Sequence, residues 1–141
     1  MQKQKGFTLI ELVVVVMILG ILAAVAAPKL LNTSGTAADQ GLKQTLGVVR
    51  DAIERYAAEH AGAVPSDPAT LVTGNYLRGT FPTCPVAGAT NAVKIIATTG
   101  VGVQGTDDGT HSWLYSSLDG TFICNSHANS KSDPSMTYDQ F

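Results

Sequence analysis

The 141-residue chain is long enough for one small domain plus an appendage, and its formal net charge is −2. Because the sequence also shows no basic stripe, strong nucleic-acid binding through a positive face is not indicated. Apolar residues make up 45% of the chain but are unevenly placed. Residues 7–31 are almost all apolar, whereas the C-terminal half is rich in Gly, Ser, Thr, Asp and Asn. The sequence therefore predicts an apolar rod joined to a modest soluble head.

The N-terminal segment has the length and polarity of a membrane-crossing helix behind a positively charged leader. Lys3 and Lys5 give residues 1–6 their positive charge, and the run 12–27 is uncharged. As a helix, residues 7–27 would span roughly 30 Å, about the thickness of a bilayer core. The two lysines favour a cytoplasmic leader, which places the rest of the chain outside the cytoplasm.

Three interpretations of this segment compete. It could be a plain transmembrane anchor, or a secretory signal peptide whose residues 1–26 are removed at the small-x-small sequence AVA at 24–26. It could also be a signal that is cut before the apolar segment rather than after it. The first two interpretations would make the chain a membrane-anchored or an exported soluble binding module.

Glu11 distinguishes between these interpretations. A carboxylate at the centre of a membrane helix costs on the order of 2 to 3 kcal/mol on insertion scales, and less near the interface. Neither an anchor nor a signal peptide needs this charge. A cut after Gly6 would create a positive α-amino group on Phe7, one helical turn from Glu11 or on a neighbouring chain. Such a pair would neutralise both charges in an apolar bundle and set the axial register between subunits.

The sequence KGFTLIE at 5–11 resembles the type IV prepilin signature, which pilins and type II secretion pseudopilins share. The resemblance is close over the N-terminal signature and the long helix that follows, and loose in the head. It implies that prepilin peptidase, an integral-membrane aspartyl protease, cuts between Gly6 and Phe7. It further implies that the same enzyme class methylates the new Phe7 amine, and that Glu11 is the assembly carboxylate.

By this resemblance we expect a structural subunit of a type IV pilus or a type II secretion-like filament, and not an enzyme. The expected location is the bacterial inner membrane, as a single-pass precursor with its head outside the cytoplasm, and then a periplasmic or cell-surface filament. The expected partners are copies of itself and related pilins in a helical homo-oligomer, prepilin peptidase, the inner-membrane assembly platform, and membrane lipid before assembly. The small head favours a pseudopilin or a minor pilin, but both kinds of filament stay open.

Residues 32–62 are predicted to continue the rod as an amphipathic helix after the transmembrane segment 7–31. Apolar residues at helical spacing form one face of it: Leu42, Leu46, Val49, Ile53 and Tyr56. Such a stripe packs on its own domain more often than on a partner, so we expect the head to cover it. Pro28 resembles the helix-bending proline of many family members. It either kinks or locally melts the rod, or it ends the membrane helix.

Residues 63–141 are predicted to form the head, which begins with a proline-rich loop and a short helical turn. Strand candidates follow at 92–98, 112–116 and 121–125, and the Asp-Gly pair at 119–120 is a strong hairpin signal. The predicted fold is α+β and type IV pilin-like. A long N-terminal helix, whose first half is embedded in the membrane, packs against a small antiparallel β-sheet.

The two cysteines of the chain, Cys84 and Cys124, both fall in the head. A head outside the cytoplasm lies in an oxidising compartment, where small domains often carry a disulfide. Closing a loop of this length stabilises a fold by roughly 4 kcal/mol in the chain-entropy model. We therefore predict a Cys84–Cys124 disulfide, with two buried free thiols as the alternative.

No catalytic motif is recognised. The three histidines, His60, His111 and His127, are far apart and have no zinc-type spacing with the cysteines. His111 with the neighbouring serine and aspartates resembles a fragment of a triad, but no nucleophile-elbow pattern supports it. No cofactor is predicted.

Calcium is a candidate metal ion, because the major pseudopilins that the chain resembles bind it in a head loop. Hard oxygen ligands could come from Asp107 and Asp108, or else from Asp119, Asp133 and Asp139. Since the spacing is not that of an EF-hand, we favour aspartates that are simply solvated in loops.

Overall fold

A computed structural model of the chain describes residues 7–88 and 90–141, with side chains described for all of these except 30–32, 34 and 101. The chain forms two compact units that divide between Ser34 and Gly35, close to the predicted boundary between segments 7–31 and 32–62. The predicted leader, residues 1–6, lies outside the described residues.

One long helix, α1, runs from Leu9 to Glu59 and contains Pro28. Its first turn is capped by Thr8, whose Oγ1 accepts a hydrogen bond from the backbone N–H of Glu11 at 3.4 Å. Pro28 does not end α1, which continues well beyond it. The segment that is apolar enough to cross a membrane ends next to Pro28, at Lys29. The expected bend at Pro28 stays a prediction.

The end of α1 is closed by Gly62, the last residue of the predicted amphipathic segment 32–62. The backbone N–H of Gly62 reaches back to the carbonyl oxygen of Ala57 at 2.8 Å. Gly62 has a φ of +87°, a conformation that glycine adopts without steric cost. This is the hydrogen-bonding pattern with which many helices terminate.

The head contains a short helix, α2 (Ala69–Thr73), and three strands: β1 (Val93–Ile96), β2 (Trp113–Ser116) and β3 (Phe122–Cys124). The strand order is β1-β2-β3, which confirms the three predicted strands. β2 and β3 pair antiparallel, but β1 and β2 pair parallel, so the expectation of a purely antiparallel sheet is wrong for that pair. The two strands are parallel because the long connection 97–112 returns the chain to the end of the sheet at which β1 begins.

The β2–β3 hairpin turns at the predicted Asp-Gly pair. Ser116 and Thr121 close the turn, with the Ser116 N–H donating to the Thr121 carbonyl oxygen at 2.8 Å. Gly120 has a φ of +74°. A Cβ atom there would lie 2.8 Å from Val64 Cγ1 and 3.0 Å from Ile53 Cγ2. Glycine is therefore required at this position both for the backbone conformation and for the close approach of the turn to α1.

The main core lies between the predicted stripe of α1 and one face of the sheet. Leu42, Leu46, Val49 and Ile53 are at most 5% exposed, and Tyr56 is half-buried. They pack with Trp113, Tyr115, Phe122 and other buried residues of the head. The prediction that the stripe packs on its own domain is confirmed.

The opposite face of the sheet is also covered. Leu114 and Ile123 form a second small cluster with Val103, which belongs to the β1–β2 connection. All four residues of β2 are buried as a result. The sheet is thus enclosed between α1 and its own crossover loop, with β2 at the centre.

Candidate functional site

The first part of α1 is a fully exposed apolar helix. The segment Leu9–Lys29 has 21 residues and a mean hydropathy of 3.0, and none of its most apolar window is buried within the structure. By length and composition it is able to cross a membrane, since 21 helical residues span about 30 Å. Side chains such as Leu9, 81% exposed, and Ile21, 59% exposed, have no core of their own. Burying them requires lipid or other helices.

Phe7, a predicted processing residue, and Glu11, the predicted assembly carboxylate, lie at the beginning of this helix. Phe7 is 74% exposed and immediately precedes the helix cap. Glu11 lies in the first turn, where a negative charge is favoured by the helix dipole. Gly6, the predicted residue before the cut, lies outside the described residues. The structure thus places Phe7 and Glu11 about one helical turn apart, as the spacing predicts.

Thr8 caps the helix, a structural role that the sequence analysis missed. Thr8 and Glu11 have the Thr-x-x-Glu spacing of a capping box, in which the threonine side chain accepts from the third backbone N–H of the helix. This short pattern was visible in the sequence. The hydrogen bond uses the backbone N–H of residue 11, so this cap does not depend on the Glu11 side chain.

The head is fixed to α1 by Arg50. Its guanidinium donates to the carbonyl oxygen of Phe122 through Nε at 3.1 Å and Nη2 at 2.9 Å. Nη2 also donates to the backbone oxygen of Phe141 at 2.6 Å. One charged side chain therefore joins the helix to strand β3 and to residue 141. This contact has no sequence signal, because its partners are backbone atoms distant in the chain.

Asp39 forms a second, buried attachment between α1 and the C-terminal segment. It is fully buried, and its Oδ2 accepts hydrogen bonds from Ser130 Oγ at 2.7 Å and from the Ser132 N–H at 2.6 Å. Burial disfavours the charged form, but these hydrogen bonds outweigh it and lower the pKa of Asp39 from 3.8 to about 2. A carboxylate in phase with Leu42 and Leu46 was the available sequence signal for this attachment.

Cys84 and Cys124 lie together in the main core. Their sulfur atoms are 3.6 Å apart, and both residues are free cysteines in the structure. The sequence correctly paired these two residues in space. The covalent bond between them stays a prediction.

The predicted calcium candidates are engaged within the chain. Asp108 Oδ1 accepts from the backbone N–H groups of His111 at 2.8 Å and Thr110 at 3.0 Å, and these bonds hold its carboxyl pKa well below its usual range. Asp107 Oδ2 accepts from the His127 N–H at 2.8 Å. Within the described residues, His, Cys, Asp and Glu form no group of three or more that could hold a metal ion. Calcium binding stays the untested alternative to the predicted solvated aspartates.

The three histidines have separate structural surroundings. The ring of His60 stacks on the ring of Tyr56 with centroids 3.9 Å apart. His111 Nδ1 lies 3.1 Å from Asp108 Oδ2. His127 Nδ1 lies 2.8 Å from Asp139 Oδ2, and the hydrogen bond to this carboxylate raises the pKa of His127. The structure therefore does not assemble them into one site.

Comparison with known proteins finds similarity along nearly the whole chain. The chain is 35% identical to fimbrial protein EcpC of Eikenella corrodens, over a match that covers 95% of this chain and 90% of EcpC. The chain belongs to the type IV pilin family. Residues 1–27 of this pilin match the family described as the prokaryotic N-terminal methylation motif.

Other relatives match over shorter stretches. The pilin is 47% identical to prepilin peptidase-dependent protein D of Escherichia coli K12, over 44% of this chain and 42% of that protein. It is 36% identical to type II secretion system core protein G of Klebsiella pneumoniae, over 43% of this chain and 44% of that protein. These matches span less than half of the length of either relative. No solved structure shows a significant match.

Family membership confirms the predicted class of fold and function. The chain is a pilin or pseudopilin structural subunit with a prepilin cleavage and methylation motif, in a family that is not enzymatic. Such a subunit is made as a membrane-anchored precursor, processed by prepilin peptidase and assembled into a secreted filament.

Proposed function

We propose that this pilin is cut between Gly6 and Phe7, methylated on the new Phe7 amine, and polymerised through α1 into a helical filament of its own copies. The exposed apolar segment Leu9–Lys29 is the observation that carries the proposal. Before assembly, lipid of the inner membrane covers this segment. In the filament, the same segments of neighbouring subunits cover one another.

Glu11 has a defined task in this proposal. Its carboxylate stands in the first turn of an apolar helix, where an unpaired charge is costly once lipid or protein surrounds it. The α-amine created on Phe7 is the matching positive charge. Pairing of Glu11 with the Phe7 amine of a neighbouring subunit neutralises both and aligns the two helices along the axis. Pro28, inside the same helix, is the position at which we expect α1 to adapt on assembly.

The filament we favour is of the fimbrial kind. The match to EcpC covers 90% of that protein and therefore includes the head, whereas the match to core protein G covers 44% of it. The head distinguishes one pilin from another, because the N-terminal segment is common to the whole family. A type II secretion-like filament is the second candidate, supported by the match to core protein G.

The proposed partners follow from this route. Prepilin peptidase acts on the precursor at the membrane, and an inner-membrane assembly platform then extracts the mature subunit into the filament. Related pilins are expected to join the same filament. The net charge of −2 gives no reason to include nucleic acid among the partners.

The experiment that tests the proposal is an intact mass and N-terminal sequence of the chain purified from its native host. We expect a chain that begins at Phe7 and is heavier by one methyl group. The variant Gly6→Val should accumulate as an unprocessed membrane precursor, whereas Gln4→Ala, in the same leader, should be processed normally. A wild-type chain that begins at Ala27 would identify a secreted domain and overturn the proposal. Cleavage of Gly6→Val at the same bond would overturn the assigned processing site.

A further inference from the structure

One stretch of α1, residues 28–36, is poorly suited to a helix. Pro28 has no backbone N–H to donate, and Thr33 and Gly35 are weak helix formers. The hydroxyl of Thr33 donates to the carbonyl oxygen of Lys29 at 2.8 Å, a contact that often bends a helix. Local propensity therefore gives little support to a continuous helix here, and contacts with other parts of the chain must contribute.

The loop 128–138, the strap, closes on itself through backbone hydrogen bonds. The N–H of Tyr138 donates to the carbonyl oxygen of Ala128 at 3.0 Å, and the N–H of Ser130 donates to that of Met136 at 2.9 Å. One end of the strap follows β3 after a short link, and at the other end Tyr138 is buried in the main core. The head therefore holds the strap in place at both ends.

The strap contacts α1 at two positions that lie one helical turn apart. Oδ2 of the buried Asp39 accepts hydrogen bonds from Ser130 and Ser132. At Gly35, an added Cβ atom would lie 2.7 Å from Lys131 Cβ, so the strap lies directly against the backbone of the helix. Glycine permits this close approach because it has no side chain. Since positions four apart share a helix face, the strap covers a full turn of α1.

These contacts coincide with the beginning of the second compact unit. Gly35 is the first residue of that unit, and Asp39 is the first buried residue among the described side chains of α1. Leu42 follows in phase and is the first residue of the main core along the chain. The strap therefore contacts α1 about one turn before the core does.

We propose that the strap is a helix clamp, which keeps α1 helical from Gly35 onward so that unwinding that starts at Pro28 stops before Asp39. Unwinding past this point would separate Asp39 from Ser130 and Ser132, and it would leave a buried charged group without its hydrogen bonds. Unwinding before Gly35 leaves these bonds intact. The clamp is therefore a boundary inside one continuous helix.

The clamp gives α1 two regions with different tasks in the filament. The region around Pro28 adapts on assembly, whereas the region from Gly35 onward keeps the helix on which the head is built. A change of shape near Pro28 can then occur without loosening the core that contains Leu42. This use of the clamp rests on the proposed function, but the clamp itself does not.

The first test follows amide hydrogen exchange of the full-length protein in detergent micelles, residue by residue. Asp39→Ala removes the acceptor of both strap hydrogen bonds. The amides of residues 37–43 should exchange about tenfold faster, whereas those of β2 should change much less. Asp51→Ala, at an exposed position of the same helix, is the control and should match wild type. Unchanged exchange at residues 37–43 would overturn the clamp, and so would an equal increase in β2, which indicates only a general loss of stability.

The second test perturbs the strap without removing a buried charge. Gly35→Ala leaves Asp39 intact and adds one methyl group against Lys131. Alanine is the better helix former, so without a clamp this change would slow exchange at residues 37–43. With the clamp, the methyl group displaces the strap, and exchange there should rise by at least about threefold.

Gly47→Ala is the matched control for Gly35→Ala. No atom lies within 4 Å of the Cβ added at Gly47, so this variant should exchange no faster than wild type. Exchange at residues 37–43 that is as slow in Gly35→Ala as in Gly47→Ala would overturn the clamp.

These outcomes are distinguishable from failure of the proposed function, because the exchange measurements need neither cleavage nor assembly. A chain that begins at Ala27 in the native host contradicts the proposed function and leaves the clamp in place. A chain that begins at Phe7, with exchange at residues 37–43 unaltered by Asp39→Ala and Gly35→Ala, contradicts the clamp alone.

Discussion

The two compact units of this pilin differ in whether their apolar side chains are exposed or buried. Residues 9–29 expose nearly every apolar side chain, whereas the stripe from Leu42 to Ile53 on the same helix is buried under the head. The first stretch is apolar all round, and the second is apolar on one face only. The helix therefore changes from a segment that needs an external partner to one that is covered by its own domain.

This difference separates two kinds of mutational effect. Changes in the head should alter the free energy of unfolding, because the head has a core of its own. Changes in the exposed segment should leave that free energy unaltered and act on processing or assembly.

The largest stability effect is expected for Gly120→Ala, with Gly20→Ala as its matched control. At Gly120 a methyl group meets Val64 and Ile53 and the φ is positive, so we expect a loss of about 2 to 4 kcal/mol in the free energy of unfolding. Around Gly20 no atom lies within 4 Å of the added Cβ, so no loss of head stability is expected. Denaturant unfolding of the full-length protein in micelles, followed by Trp113 fluorescence, measures both. A Gly120→Ala head as stable as wild type would contradict the packing described for the turn.

A smaller effect is expected for Asp39→Asn, which removes the charged acceptor of Ser130 and Ser132. We expect a loss of about 1 to 3 kcal/mol at neutral pH, since hydrogen bonds to a buried charge are lost. The folded-state pKa of about 2 is below the ordinary value of 3.8, so the carboxylate stabilises the head at any pH above 3.8. This contribution is lost as the pH falls from 3.8 through about 2.

The measurement for Asp39 is the difference in unfolding midpoint between wild type and Asp39→Asn along a pH series. The difference should be constant from neutral pH down to about 4 and should shrink towards pH 2. Asp51→Asn, an exposed carboxylate on the same helix, should differ little from wild type throughout. A difference that stays constant down to pH 2 would show that the charge of Asp39 does not stabilise the head.

Much of the fold could be predicted from local patterns. The apolar run, the stripe at helical spacing, the Asp-Gly turn and the three strands are each encoded within a few neighbouring residues. The parallel pairing of β1 with β2 could not be predicted in this way, because it depends on the path of the loop 97–112. Local periodicity identifies a strand but not the direction of its neighbour.

Some residues of the candidate site could likewise be predicted from local patterns, and others could not. Glu11 was singled out because a carboxylate is unusual in an apolar segment, and Phe7 because residues 5–11 resemble the prepilin signature. Thr8 was missed although its capping pattern is local. The roles of Asp39 and Arg50 depend on partners far along the chain, which sequence spacing does not reveal. The contact between Cys84 and Cys124 was predicted because the chain offers no other pair of cysteines.

The most direct test of the division is a set of three variants at the start of α1, expressed in the native host. Glu11→Gln removes the charge and keeps the size of the side chain, whereas Thr8→Ala removes the cap and keeps the charge. Glu11→Ala removes the charge together with most of the side chain.

For each variant, filament yield and the unfolding midpoint of the head are measured together. If Glu11 pairs with a neighbouring amine, Glu11→Gln and Glu11→Ala should be processed normally but lower the filament yield by at least about tenfold, since an unpaired charge in an apolar bundle costs on the order of 2 to 3 kcal/mol. Thr8→Ala should retain most filaments, and all three heads should unfold at the wild-type midpoint. Normal filaments from Glu11→Gln would contradict the pairing of Glu11 with a neighbouring amine. A shifted unfolding midpoint of its head would contradict the independence of the head from the exposed segment.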